Sequence, residues 1–509
     1  DNTNELWWKD QGIRKNVFHC FGLCLCVFYL VHDQSLLTGL QALPRWNAYF
    51  GSPTGNTLGL IASSIFLPSI ITAFAGDYIA AHYGRKIAVW IGSVIIIAGA
   101  ILNAAAQNTG QFVGGRILLG SGGAITKVGA PALLHEIAHP RLRGIIGGCY
   151  YGFYYFGSFT SAWLTCELFH DWSWRMPCVF QVVGPSLVLL ITCTAPESPR
   201  FLIDHDRNER ALQILAKYHA NGDESDALVQ WEYQEICSAI AKEREMKKTS
   251  YLDFFRTKGN RKRLFVLCTL SVATNWAGNG IISYYLAPVL RQVGVTDPSQ
   301  ITGINGGLAG YNLVLALAAG LNVERVGRRP LFFAGFIGMF FSYCFVMGLS
   351  AGYANTGNSS MGIAVIPFLW FFYGFYDISL TPLPYHYTSE ILPYALRSKG
   401  LAIFTSVQNC ANALNQWVNP IALAASKSIH YAVYLVILLF LIAFTYFFIV
   451  ETRGLSLEEI SLVMDYGRKE GREKAKELGA HNAHVEAKDG MDGASQHGDK
   501  AVAGHVERV

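Results

Sequence analysis

Charge is scarce in this chain. Of its 509 residues only 15% are Asp, Glu, Lys or Arg, against 51% hydrophobic and 13% aromatic, a balance that excludes an ordinary set of soluble domains and makes a lipid bilayer the expected solvent. The formal net charge of +4 is small for the length, which removes the case for nucleic acid as a partner. Cysteine pairs at zinc-ligand spacing are also missing, although Cys166 and Cys178 flank one short loop and are placed to pair. Eleven cysteines are an odd number, and most, such as Cys20, Cys24, Cys26, Cys149, Cys193, Cys268, Cys344 and Cys410, lie inside apolar runs, as small apolar packers do and zinc ligands do not. No nucleophile is spaced with a base, no side-chain set suits a metal and no phosphate loop has a plausible context, so neither an enzyme nor a cofactor is expected.

What is present is a repeat. A polar stretch from Pro196 to Arg263 separates two long apolar flanks, and three charged signatures occur in the same order in each. The first flank has GDYIAAHYGRK (Gly76 to Lys86), HEIAHPRLRG (His135 to Gly144) and PESPRFL (Pro196 to Leu202); the second has NVERVGRR (Asn322 to Arg329), SEILPYALRSKG (Ser389 to Gly400) and VETRGLSLEE (Val450 to Glu459). Glu136 and Glu390 are 254 residues apart, as are Glu197 and Glu451. Chance does not produce such a coincidence, and the chain reads as a tandem duplication.

A bilayer core about 30 Å thick takes roughly 20 apolar residues in a helix. Charge-free runs place spans near 17–40, 57–80, 87–107, 111–134, 145–166 and 176–195, then 264–290, 301–322, 331–350, 361–385, 400–422 and 430–450. Short loops on one side hold Arg85, Lys86, Arg141, Arg143, Arg325, Arg328, Arg329, Arg397 and Lys399, and those on the other only Arg45, Arg175, Arg291 and Lys427. The basic side is expected to be cytoplasmic, with both termini. The organisation predicted is a cytoplasmic segment (1–16), a six-helix bundle (17–195), a cytoplasmic helical linker (196–263), a second bundle (264–450), a cytoplasmic helix (451–478) and a disordered tail (479–509). Within the linker, 207–219 and 228–248 alternate apolar and charged residues at helical spacing, as amphipathic helices on the membrane face do.

An ionisable group at membrane depth is costly, so each is a functional candidate. Asp33, Arg116, Lys127 and Asp377 stand out. Asp33 in span one and Arg116 in span four fall at matching depth and are placed to pair; the pair either releases the carboxylate to take a proton during a cycle or glues two helices permanently. Lys127 shares a helix face with Arg116, and by depth Lys127 and Asp377 are expected to approach and close one side of a cavity. Uncharged polar groups cluster as well: Gln34 in span one, Thr274, Asn275 and Asn279 in span seven, Asn312 in span eight, and Gln408 and Asn412 in span eleven, with Tyr151 and Tyr385 among the aromatics nearby. Amides beside flat rings suit a sugar, whose hydroxyls hydrogen-bond while its CH face stacks. For any one of them, a bond between helices is the competing reading.

These motifs, in combination and at these spacings, resemble the sugar porter family of the major facilitator superfamily, over nearly the whole chain up to about Leu478. HEIAHPRLRG, DWSWRMP (Asp171 to Pro177), KYHANGDE (Lys217 to Glu224) and GNGIISYYLAPVL are similar to the fungal branch with lactose permeases and cellodextrin transporters. The resemblance implies an all-α membrane protein with twelve transmembrane helices in two pseudosymmetric bundles, cytoplasmic amphipathic helices and alternating access. It assigns Asp33 as the proton-coupling acid and Arg116 as its partner, and it puts substrate contact at Thr274, Asn275, Asn312 and Gln408. Tyr151 stands where the family has a glutamine and Tyr385 where it has a tryptophan, which resembles disaccharide-accepting members more than glucose carriers. It also implies that Asp77, Arg85, Glu136, Arg143, Glu197, Arg200, Glu324, Arg328, Glu390, Arg397 and Glu451 form gating salt bridges between helix ends. The function expected is proton-coupled symport of a disaccharide or hexose across the plasma membrane, its partners being sugar, proton and lipid, with a monomer sufficient. A carrier or exporter of a non-sugar metabolite, or a non-transporting sugar sensor, are the rival readings.

Overall fold

The structure, a computed structural model, describes residues 6–163, 174–246, 250–292, 294–381, 383–425, 429–453 and 457–466, with 470 and 473. Every regular element among the described residues is helical. Twelve helical passages follow in two sets of six, here numbered as spans. The first set is Gln11–Ala42, Gly55–Ser63 continued by Ser69–His82, Arg85–Ala104, Thr109–Ile137, Pro140–Trp163, and Arg175–Phe180 continued by Val183–Cys193. The second is Lys258–Trp276 continued by Asn279–Gln292, Pro298–Val326, Arg328–Thr356, Ser359–Ser379 continued by Leu383–Ile391, Tyr394–Ala425, and Ile429–Phe447. Among the described residues, seven stretches of helix are long and apolar enough to cross a membrane by themselves. The remaining passages are shorter, broken or less apolar.

Helix ends follow local chemistry. Asn108 caps span four by accepting from Gln111 N at 2.9 Å, Thr257 caps span seven through Asn260 N at 3.1 Å, and Pro140 opens span five, where its missing N–H costs nothing. Several helices outrun the membrane: the 29 residues of span four reach about 44 Å at a rise of about 1.5 Å per residue.

Between helices in lipid, close packing of small residues replaces much of the hydrophobic drive. Spans three and four show this. A Cβ on Gly122 would sit 2.5 Å from the Gly92 carbonyl oxygen, and one on Gly99 2.8 Å from Leu119 N. The second half is instead filled by aromatics, with Phe332, Phe336, Tyr343 and Phe372 fully buried together.

The repeat is physical as well as textual. Gly84 (φ +116) and Gly327 (φ +101) precede spans three and nine, and each leaves room for a glutamate from the end of its own half. Glu197 accepts from Arg85 N at 3.1 Å and Lys86 N at 3.2 Å; Glu451 accepts from Arg328 N and Arg329 N, both at 3.0 Å. An anion thus sits on the positive end of a helix in both halves.

Between the halves, the described linker forms helices Pro199–Asp204, Asn208–His219, Ala227–Met246 and Asp253–Arg256, and Leu457–Tyr466 follows span twelve. They pack on one face of the molecule, called here the linker face. Buried His219 lies 2.6 Å from Glu232 through Nδ1 and 3.1 Å from the Ile137 carbonyl through Nε2, so the linker clamps the end of span four. Asn16 donates to the same carbonyl at 2.6 Å. In the second half Arg263 donates to Ile391 O at 2.9 Å and Asp465 at 2.7 Å.

Candidate transport site and its gates

At mid-depth of the second half, span seven comes against spans ten and eleven, and the polar residues there make one connected cluster. Gln408 Nε2 donates to Thr274 Oγ1 at 3.1 Å, Asn275 Nδ2 donates to that oxygen and to the Gln408 carbonyl, both at 3.2 Å, and the Tyr385 hydroxyl donates to Gln408 Oε1 at 2.9 Å. Tyr376 donates to Thr274 O at 2.8 Å and receives a bond from Asn279 at 3.1 Å. Tyr385 is exposed while Thr274 is buried, so the cluster runs from a wet rim into a packed base. Neutral donors and acceptors with an aromatic at the rim can exchange their mutual bonds for those of a polyhydroxyl ligand. Asn412 turns to Gln416 at 3.4 Å, and Gln34 is half-buried on span one. The Tyr151 side chain and the whole of Cys166 lie outside the described residues.

In the first half, Asp33 is buried to 2% exposure. Its Oδ1 accepts from Gln181 Nε2 at 3.0 Å and lies 3.7 Å from His32 Nδ1. Arg116 is equally buried, and its charge acts on Asp33 and on Cys178. Spans one and six therefore bring a carboxylate and an amide together, with the guanidinium of span four acting on the carboxylate from farther off. Gln181 escaped the sequence reading because uncharged residues in span six carry no depth signal.

Asp377 does not meet Lys127. Its bonds go elsewhere: Tyr155 donates to its Oδ1 at 3.0 Å and Thr381 at 2.9 Å. Asn312, with its amide nitrogen facing the carboxylate, donates to Oδ2 at 3.1 Å. Lys127 is exposed on span four. The expectation failed because matching depth does not fix azimuth, and span five, carrying Tyr155, takes the place beside Asp377. Asn312, expected to face sugar, is turned to that carboxylate.

The gating residues pair largely within each half. Arg85 Nε lies 3.2 Å from Glu136, and Arg328 Nη2 2.7 Å from Glu390. With the Glu197 and Glu451 caps these form matching triads, Glu136–Arg85–Glu197 and Glu390–Arg328–Glu451. Arg143 instead lies 3.5 Å from the linker's Glu232. Asp77 is exposed, Arg200 and Arg397 are half-buried, and the Glu324 side chain lies outside the described residues.

Contacts across the seam between the halves concentrate away from the linker face. Arg291 Nη2 donates to Gln41 O at 3.1 Å and Ala42 O at 3.0 Å. A Cβ on Gly59 would be 2.8 Å from the Trp417 carbonyl oxygen, and one on Gly306 2.8 Å from the Trp163 indole nitrogen. Down span five the series continues through Phe159 against Gly310 to the Tyr155–Asp377 bond.

Two six-span halves, each with its own charge triad at one face and a polar cluster at mid-depth, define a multi-pass membrane transporter. The family described as sugar (and other) transporter matches residues 20–464, and the chain belongs to it, within the major facilitator superfamily. Its relatives include the MFS-type transporter criB of Aspergillus cristatus, 30% identical over 446 residues, covering 86% of this chain and 91% of that one. The high-affinity glucose transporter of Kluyveromyces lactis is 27% identical over 477 residues, covering 87% and 84%. Among solved structures, the inward open conformation of the xylose transporter XylE from E. coli matches with a TM-score of 0.71 at 22% identity, over 87% of this chain and 98% of that one. That last likeness speaks for the fold alone.

Proposed function

We propose that the chain is a proton-coupled sugar symporter of the plasma membrane, carrying a disaccharide or hexose by alternating access, with the linker face and both termini in the cytoplasm. The observation that carries the reading is the buried Asp33 with Gln181 at 3.0 Å and the charge of Arg116 acting on it, a titratable acid in the half opposite the neutral cluster of Thr274, Asn275, Gln408 and Tyr385. Protonation of Asp33 weakens its hold on Arg116 and lets spans one and four part. Tyr385, Gln408, Asn275 and Thr274 take the sugar hydroxyls, with Gln34, Asn279 and Asn412 as further lining. The triads around Arg85 and Arg328 stiffen each half so that it rocks as a unit. One charge moved across 100 mV supplies about 2.3 kcal/mol, roughly fifty-fold accumulation.

Names among the relatives support the cargo class: several are glucose or hexose transporters. The names of criB and of the oryC transporter of Aspergillus oryzae carry no sugar, which favours a second reading, a carrier of a non-sugar metabolite. A labelled-sugar panel in a transport-null host at two external pH values separates them. Uptake of at least one sugar, faster at the lower pH, is expected; no uptake and no competition by any sugar would support the second reading.

A further inference from the structure

Asp33 is not the only carboxylate at membrane depth. Asp377 is 1% exposed and sits where the halves meet, and its surroundings differ in kind from those of Asp33. No Lys, Arg or His lies within ion-pair distance of it among the described residues. The titratable groups that face it are phenols: Tyr154 and Tyr155 from span five and Tyr311 from span eight. Span nine presents Gly335 and Gly338 to Ser379 and Phe375, and span seven presents Asn279 to Tyr373 and Tyr376.

A buried, uncompensated carboxylate costs several kcal/mol, a cost met by neutral donors or by uptake of a proton. Here both routes are built in. With the acid ionised, Tyr155 and Thr381 donate to Oδ1 at 3.0 and 2.9 Å and Asn312 to Oδ2 at 3.1 Å. With the acid protonated, either hydroxyl can turn to accept the carboxyl O–H, while the Asn312 amide goes on donating to the other oxygen. The Tyr155–Thr381 contact of 3.2 Å gives the hydroxyls a partner through that exchange. Hydroxyls donate and accept; a guanidinium only donates. The Asp377 site therefore holds either protonation state with its bonds satisfied.

We propose that Asp377 is a second proton-binding site, placed on the seam so that its protonation is coupled to movement of the halves. Two of its hydrogen-bonding groups, Thr381 and Asn312, come from the second half and one, Tyr155, from the first. Parting of spans five and ten removes Tyr155, admits water and lets the proton exchange with one side of the membrane. The use of this proton in transport rests on the symport reading above; its binding does not.

The test needs no cargo. The purified full chain is acidified stepwise in detergent, and the carboxylic-acid C=O stretch of buried groups is followed by infrared difference spectroscopy. The proposal expects a buried-acid band that persists in Asp33→Asn and is lost in Asp377→Asn. If Asp377→Asn does not fold, Asp377→Glu serves, with the band moved in frequency rather than lost. A spectrum of Asp33→Asn without any buried-acid band, or a band untouched by both Asp377 substitutions, overturns the site. Failure of every sugar in the uptake panel would instead count against the symport reading and leave the infrared result standing.

Discussion

Gln408 shows how one side chain in the cluster is positioned to do two jobs. Its amide nitrogen donates to Thr274 and its oxygen accepts from Tyr385, so it holds spans seven, ten and eleven together while offering both polarities to a ligand. Gln408→Ala removes the two polar groups a sugar hydroxyl would bond, each worth about 0.5–1.5 kcal/mol, and is expected to raise the KM for sugar roughly five- to 150-fold with little change in the amount of folded protein. Radiolabel uptake over a concentration series checks this; an unchanged KM would take Gln408 out of the site. Much at this scale was legible. Acids and amides inside apolar runs announce themselves, and Thr274, Asn275 and Gln408 do converge. The partners of the two buried acids were not legible: nothing marks Gln181 out among the amides of the spans or Tyr155 among their tyrosines, and only packing shows that they reach Asp33 and Asp377.

Helices were readable from run length, since a 30 Å apolar slab permits few alternatives. Their interruptions were not. Span seven breaks at Gly278 (φ +108), where Tyr343 donates to the Gly278 carbonyl at 2.7 Å, and span two is interrupted where Gly120 packs on the Ile65 carbonyl. Both breaks arise from a neighbouring helix, which a single-sequence window does not contain. The Gly92–Gly122 approach gives a prediction of its own: Gly122→Leu overpacks spans three and four by about 1–3 kcal/mol and is expected to lower the unfolding temperature in a fluorescence melt, where no change would show that the spans have slack.

The linker clamp is expected to respond to pH through His139, a buried residue between spans four and five whose ring lies 5.0 Å from that of His219. Burial, helped by the neighbouring His219, pushes the His139 imidazole down to about 4, so the folded chain holds it neutral where the unfolded chain, with a value near 6.5, is protonated. The unfolded form then binds more protons between these values, and stability at this site is full above about 6.5, falls as pH drops toward 4 and levels off below. Limited proteolysis of the linker should accelerate over that window in the wild type and lose that dependence in His139→Gln.

Considered whole, the molecule is two copies of one device facing each other, and the seam contacts gather away from the linker face. Alternating access requires those contacts to open. A Cβ on Gly59 would also lie 3.4 Å from Trp417 Cα, so Gly59→Leu should wedge spans two and eleven apart, hold that side open and slow net transport measured by radiolabel uptake. Undiminished transport by Gly59→Leu would mean that this seam does not have to close during turnover.

The central claim is that Asp33 couples proton entry to cargo movement, and proteoliposomes carrying an imposed pH gradient test it most directly. Using a sugar from the panel that the wild type takes up, the account predicts accumulation above the outside concentration by the wild type. Asp33→Asn should continue equal-concentration exchange but accumulate nothing. Accumulation by Asp33→Asn equal to that of the wild type, or wild-type accumulation that survives collapse of the gradient, would contradict it.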